Sequence, residues 1–424
     1  MKNYIRLRVP WVSLEDMDKP ARPLARLERF FEQHTTDASP SQEEFEDHVK
    51  ILCLTTKRAL RSLSLKAAAS PVELATNVAK GYLVRCENIL ERYRNLSASI
   101  RTAGLDASPA FAYGDEFLSI VATYYAFRIV DRMQNFPDHV PCAQTTSALV
   151  QFIHKELEYR VNVLNAVVPR TNCDNELFVF RWSMLKKYMS SALFLEIRER
   201  HDSQYWQQAI YCFAAGAAMI FATAIAFIWQ GHYGTLSAPL FMALIVSYIF
   251  KDRMKDLLKA SMSSWLRRIL SDRKLAIYRN FTSPAGICKE SFDFVAEKSL
   301  PSEVAALRDK VHMVDVSNAF RSETVLRYRK DITIFSKADV LSARGFSDGM
   351  LDITRIGVHE FLRYMDEPEE PLYALEGGEC CRVSGSKVYH INMIRIQHNP
   401  EGTRCRRYRI VLDRNGIKRI ERVR

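Results

Sequence analysis

Apolar residues follow three regimes along the chain. From about residue 40 to 200 they recur at helical spacing, from 209 to 250 they fill almost every position, and after about 285 they come in short strand-like runs. In the first regime Ser41-Gln42-Glu43-Glu44 has a capping-box pattern. It predicts a helix to about Lys66 with Phe45, Val49, Leu52 and Cys53 on one face. A second helix is expected after Ser70-Pro71, through Val78, Leu83, Ile89 and Leu90 to about Ile100. Gly114-Asp115 is read as the opening of a third, with Phe117, Leu118, Val121, Tyr125 and Ile129 as its stripe. Further helical runs cover roughly 147–168 and 175–200, the last leading into the apolar segment through His201-Asp202-Ser203. Punctuation at Asp106–Pro109 and Phe136–Asp138 separates them, so the product is a helical bundle.

The second regime has the composition of a membrane segment. Ala209–Trp229 carries no charge and would extend about 31 Å as a helix, against a hydrocarbon core of about 30 Å. Trp206 and Trp229 bracket it like interfacial aromatics. After Gly231–Thr235 a second apolar run goes from Leu236 to Phe250, with Pro239 near its start, and ends at Lys251-Asp252-Arg253-Met254-Lys255. Together they read as a two-helix transmembrane hairpin. Arg198, Arg200, Lys251, Arg253, Lys255 and Lys259 flank it, while the turn holds no Lys or Arg, so both flanks are expected in the cytoplasm and the turn outside. Ala214, Ala218, Ala222 and Ala226 recur every four residues and suit close helix packing, on the second span or on another copy of the chain.

No Gly or Pro occurs between Pro239 and Pro284, so the second span is expected to continue as one long helix. Met254, Leu257, Leu258, Met262, Trp265, Leu266, Ile269 and Leu270 form its apolar stripe. Lys251, Lys255, Lys259, Arg267 and Arg268 head its basic set, with Arg273 and Lys274 beyond. Such a helix meets anionic headgroups or an acidic partner, or else packs on a soluble domain.

In the third regime strand-like runs are expected at Val311–Val316, Thr324–Tyr328, Ile332–Phe335 and Met350–Ile356, with a helical turn at Phe361–Met365. Val388–Gln397 and Tyr408–Leu412 alternate, and Asn415-Gly416 joins Arg407–Asp413 to Ile417–Val423 as a hairpin. The fold class is therefore an α+β multidomain membrane protein. It is divided into a helical domain (1–205), the hairpin (206–250), a basic amphipathic helix (251–284) and a C-terminal α+β domain with antiparallel strands (285–424).

Composition narrows the picture further. Gly and Pro number only 15 each in 424 residues, against average usage of roughly 7% and 5%, which disfavours a turn-rich all-β protein. Nine cysteines are too few for a disulfide scaffold and suit a reducing compartment. The net charge of +11 favours an acidic partner or surface. The last 24 residues hold nine Lys or Arg against three Asp or Glu. Only Tyr408 lies among those basics, so nucleic acid is the weaker partner class.

Candidate chemistry is thin. Cys380, Cys381, His390, His398 and Cys405 fit no structural zinc spacing, and Asp348, Asp352, His359 and Glu360 read as surface or turn polarity. His154, Lys155, Glu156 and Glu158 read as a solvated helix face, and Tyr124 and Tyr125 as core aromatics. No nucleotide-binding loop, nucleophile elbow or zinc-protease motif is present, so no cofactor is expected. The expectation is a multi-pass protein of a bacterial inner membrane with both termini cytoplasmic. It would bind a partner, sense or scaffold, with the bilayer, a cytoplasmic protein or a second copy as partners. The alternative of another class is a membrane-associated enzyme on a lipid or nucleotide with an unfamiliar site.

Overall fold

Helical periodicity becomes helix across most of the first 190 residues, and the remainder mixes helices with antiparallel sheets. The computed structural model describes residues 2–9, 12–13, 22–33, 41–105, 108–136, 142–200, 202–233, 238–269, 271–279, 283–308, 324–335 and 349–423. Two compact units divide the chain. The first comprises Tyr4–Glu196 with Ser336–Asp352; the second comprises Met1–Asn3, Ile197–Phe335 and Ile353–Arg424.

The first unit is a bundle of α1 (Pro23–Gln33), α2 (Gln42–Ala69), α3 (Val72–Asn95), α4 (Ser97–Thr102), α5 (Ala110–Gln134), α6 (Ala143–Asn162) and α7 (Glu176–Ser190), with the strand β1 (Lys2–Leu7) before it. Ser41 stands at the N-cap of α2, although its hydroxyl bonds to none of the cap amides. Helix α5 is the centre. Every residue from Gly114 to Thr123 is buried, because α2, α3, α6 and α7 all pack on it. Tyr82 donates its hydroxyl to the carbonyl of Ala122 at 2.6 Å, and Tyr93 donates to that of Phe111 at 3.0 Å, so both buried phenols are satisfied.

Three expectations change here. Helix α5 begins at Ala110, and Gly114 lies one turn inside it instead of opening it. A Cβ at Gly114 would overlap the Tyr93 hydroxyl and Val49, so glycine lets three helices approach closely. Helix α6 stops at Asn162, well short of Val168, and just beyond it Asn165 takes the left-handed conformation with φ 48°. Helix α7 stops at Ser190, and Glu196–Arg200 is the strand β2, not a helix running into the apolar segment. The charge-rich sequence there favours helix locally, but pairing at a sheet edge overrides that preference.

The second unit contains α8 (Asp202–Tyr233) and α9 (Ala238–Ile269), packed as a helical hairpin. A four-stranded sheet follows the order β2–β3–β4–β5, with β3 at Arg273–Arg279, β4 at Ser283–Val295 and β5 at Val325–Ile334. The long helix expected to reach residue 284 thus ends at Ile269. Leu275, Ala276 and Ile277 are buried one after another in β3, which no amphipathic helix facing solvent would do. The two runs expected at 324–335 are one strand, β5, and Val311–Val316 lies outside the described residues. Helix α10 (Ser302–Arg308), strand β6 (Met350–Arg355), helix α11 (His359–Leu362) and strands β7 (Glu369–Glu376) and β8 (Glu379–Ser386) follow. Strands β7 and β8 pair across Gly377-Gly378, both at positive φ, a hairpin not among the strand runs expected above.

The chain ends in the sheet β11–β10–β9, with β9 at Tyr389–Asn399, β10 at Gly402–Asp413 and β11 at Gly416–Val423. The expected hairpin is there, one residue earlier than its Asn-Gly signal. Asp413 pairs with Gly416, and its carboxylate accepts the amides of Asn415 at 2.9 Å and Gly416 at 3.1 Å. Arg407, one of the nine basic residues counted in the last 24, is buried and donates to the carbonyl of Leu307 at the end of α10. Arg409 and Arg419 pair with Glu421, Lys418 with Asp413, and Arg414 with Glu367. Much of that terminal charge is therefore answered locally.

Candidate functional site

The hairpin is the most unusual surface on the molecule. Gln208–His232 of α8 is 25 residues long; its most apolar stretch has mean hydropathy 2.0, and only 11% of that stretch is buried. One described helix is therefore long and apolar enough to cross a membrane. A soluble core helix of this composition would be covered by its neighbours. Instead Phe213, Ile220 and Phe227 point away from the protein, with Ile220 at 73% and Phe227 at 70% exposure.

Cover comes from one side only. Ile210, Ala214 and Ala218 are buried, and Ala222 and Ala226 are half-buried, because this stripe faces α9. Small side chains there allow the backbones to approach. Ser247, itself buried, donates to the carbonyl of Ala222 at 3.5 Å. Lower down, the ammonium of Lys259 lies 5.2 Å from the ring centre of Tyr211.

Helix α9 differs from α8. Its described apolar part is Ala238–Phe250; Lys251, Asp252, Arg253 and Lys255 follow at once, so it does not meet the standard of length and apolarity that α8 meets. Part of the expected second span, Leu236-Ser237, lies outside the described residues. Lys251, Lys255 and Lys259 are half-buried on the α9 face that includes Ser247, and Lys251 also stands 4.1 Å from the ring centre of Tyr248. Arg267 and Arg268 belong to α9, but their side chains, like those of Trp206 and Trp265, lie outside the described set.

A second concentration of polar groups sits inside the bundle. Arg94 on α3 donates to both oxygens of Glu156 on α6, at 2.9 and 2.8 Å, and to Asp115 on α5 at 3.0 Å. Tyr159 donates to the other Asp115 oxygen at 2.7 Å and stacks under the Arg94 guanidinium. Glu156 is therefore buried, not on a solvated face as its helical position suggested, whereas His154 and Glu158 are exposed and pair with each other. Of the two tyrosines read as core, Tyr125 is buried and Tyr124 exposed.

Burial raises the Asp115 carboxyl despite the opposing pull of Arg94 and Tyr159. It also pushes the Tyr159 phenol up to about 12, helped by the bond to Asp115. Nearby, Arg160 is lowered to about 10 by burial, against Glu156 and Glu116. Glu116 in turn accepts from Arg181 at 2.7 Å. Every carboxylate oxygen of Asp115 and Glu156 is already bonded within the cluster. That arrangement clamps three helices together.

No family model, curated protein or solved structure matches this chain. Its own residues carry the functional argument. Cys380 and Cys381 lie on β8, His390 and His398 on β9, and Cys405 on β10; His398 shares a 2.9 Å hydrogen bond with Thr403. Among the described residues no group of three or more His, Cys, Asp or Glu is placed to hold a metal ion. Asp352 is on β6, His359 and Glu360 open α11, and Asp348 lies outside the described residues.

Proposed function

We propose that this is a membrane-anchored protein that holds or senses partners, with the α8–α9 hairpin as its anchor. One observation carries the reading: the most apolar stretch of α8 is only 11% buried. An uncovered apolar face about 31 Å long over 209–229, at roughly 1.5 Å per residue, is stable only against lipid or another protein. Lipid is favoured because the outward side chains are large and apolar around most of α8 and no charge interrupts them between Asp202 and His232.

Orientation follows from charge. Lys251, Arg253, Lys255 and Lys259 cluster at the base of the hairpin, and the tip holds no Lys or Arg. Both chain ends therefore leave the bilayer on the cytoplasmic side, which for this class of anchor is the inner face of a bacterial-type membrane. The tightly spent polar cluster in the bundle supports a holding role over catalysis. A cytoplasmic protein, or a second copy through the outward face of the hairpin, is the partner class. Fractionation of cells expressing the full chain tests the anchor: the protein should stay in the membrane pellet through high-pH carbonate extraction. Recovery in the soluble fraction would overturn it.

A further inference from the structure

The hairpin register bears on how deep the anchor goes, an inference that rests on the membrane reading above. Two contacts set that register: Ser247 meets Ala222, and Lys259 meets Tyr211. Interpolated between them, Lys251 stands level with Ala218 and Lys255 level with Ala214. Charged α9 therefore runs alongside the first half of the apolar stretch of α8.

That arrangement conflicts with a full crossing. If 209–229 filled the hydrocarbon, Ala218 would lie near its middle, and Lys251 and Asp252 would lie there too. The centre of a bilayer is the most costly place for a charge. A lysine can extend its ammonium toward a surface nearby, but from the middle the surface is about 15 Å away. The short carboxylates of Asp252 and Asp256 have still less reach. Both helices are free of Lys, Arg, Asp and Glu together only over 220–233 and 238–250. These legs are about 20 Å long, against a core of about 30 Å.

The geometry points to a re-entrant anchor. Residues 220–233 and 238–250 lie in hydrocarbon, the collar Lys251–Lys259 and the level stretch 209–219 lie among the headgroups, and the described tip at Gly231 and His232 stays inside the bilayer. Lys251, Lys255 and Lys259 then meet anionic headgroups from the edge of the hairpin. The tip around Gln230 and His232 holds no Lys, Arg, Asp or Glu, which makes it the less costly end to immerse.

Two exposed positions on α8 separate the alternatives, because full and partial insertion rank them in opposite order. Met219 is central in a full crossing and at the surface in a re-entrant one; Phe227 is near the far surface in the first and deep in the second. The expected result is that Phe227→Lys lowers the carbonate-resistant membrane fraction at least tenfold, while Met219→Lys stays within twofold of the unaltered chain. Equal losses, or a larger loss for Met219→Lys, overturn the re-entrant depth. An unaltered chain that is soluble, alone or as an oligomer, overturns the membrane reading itself. Both side chains are more than half exposed, so neither change opens a core.

A second measurement avoids added charge. In a chain with Cys173, Cys212, Cys380, Cys381 and Cys405 changed to Ser, the remaining cysteines are buried. Gly231→Cys has open space around its Cβ. It should react with a bulky impermeant maleimide only after detergent solubilisation. Labelling from outside intact cells would show an emerging turn and overturn the proposal.

Discussion

In the bundle, α5 brings Phe117, Leu118, Val121 and Ile129 into contact with neighbours on almost every side; in the hairpin, α8 is longer and freer of charge yet covered along one stripe. The amount of apolar surface does not separate the two environments. Charge placement does. The bundle admits Asp115, Glu116 and Glu156 to its interior because Arg94, Arg181 and Tyr159 answer them. From Ser203 to Gly231 helix α8 has no charges, and the charges level with that stretch are on α9. A buried helix can afford charge where the fold supplies a counter-charge; a helix facing lipid avoids it.

The largest expected effect breaks the bundle side of this contrast. Arg94→Met leaves Asp115 and Glu156 buried, each less than a tenth exposed, without their cation. Removing one partner of a buried pair costs about 3–5 kcal/mol. Thermal unfolding of the full chain in mild detergent should show it, with Asp115→Asn and Glu156→Gln restoring much of the loss. A drop below about 1 kcal/mol would mean that the cluster does not clamp the helices. A matched pair of phenylalanines compares the regions directly. Phe117→Ala should cost about 3–5 kcal/mol, since the ring is fully buried beside Trp182. Phe227→Ala should change unfolding by less than about 0.5 kcal/mol, since its ring faces outward. Similar losses at both sites would show that α8 is a covered core helix.

Much of the bundle was legible in the sequence because its apolar residues repeat at helical spacing and its helices are long. Less legible were features set by distant partners. Gly114 looked like a helix start and is a point of close approach to Tyr93 on α3. Glu156 looked solvated because its neighbours His154 and Glu158 are, and only Arg94, 62 residues away, shows otherwise. The regular spacing of Arg94 with Tyr93 and Leu90 gave no hint of that pairing. Residues 196–200 and 273–279 became strands because a sheet lies beside them, a fact no local pattern contains. The apolar character of the hairpin and its alanine stripe were plain. The offset that sets charged α9 beside uncharged α8 was not, since it depends on which α9 residue stands level with which alanine.

A smaller effect sharpens the hairpin side. Ala218 is buried against α9, while Ala215 on the next face is exposed. Ala218→Leu forces bulk into a closely packed seam, which costs about 1–3 kcal/mol. Local opening of that size raises the rate of tryptic cleavage at Lys251, Arg253 and Lys255 about tenfold in detergent, where these sites are accessible to the protease. Ala215→Leu should leave the rate unchanged. Equal acceleration by both would place the seam elsewhere.

The smallest effect concerns acid. Glu46 on α2 accepts from Lys50 at 3.2 Å, Gln42 at 3.2 Å, Ser108 at 3.2 Å and Tyr188 at 3.0 Å. Burial alone would raise its carboxyl, but Lys50, Gln42 and Tyr188 outweigh burial and hold it below the ordinary value of 4.5. A carboxyl depressed by folding stabilises the native state fully above its unfolded value. The contribution disappears as the pH falls through the depressed folded value, because protonation then favours the unfolded chain. Glu46→Gln should therefore lower the melting temperature near neutral pH and have less effect below about pH 4, with a difference worth no more than about 1 kcal/mol for a pair this near the surface. Glu46 belongs to the bundle and not to the hairpin, so melting of the bundle should carry this acid dependence while carbonate-resistant membrane retention does not depend on residue 46. If Glu46→Gln instead costs the same at pH 4 and pH 7, the bond from Tyr188 is as strong to a neutral acceptor as to a carboxylate, and the link from α2 to α7 owes nothing to charge.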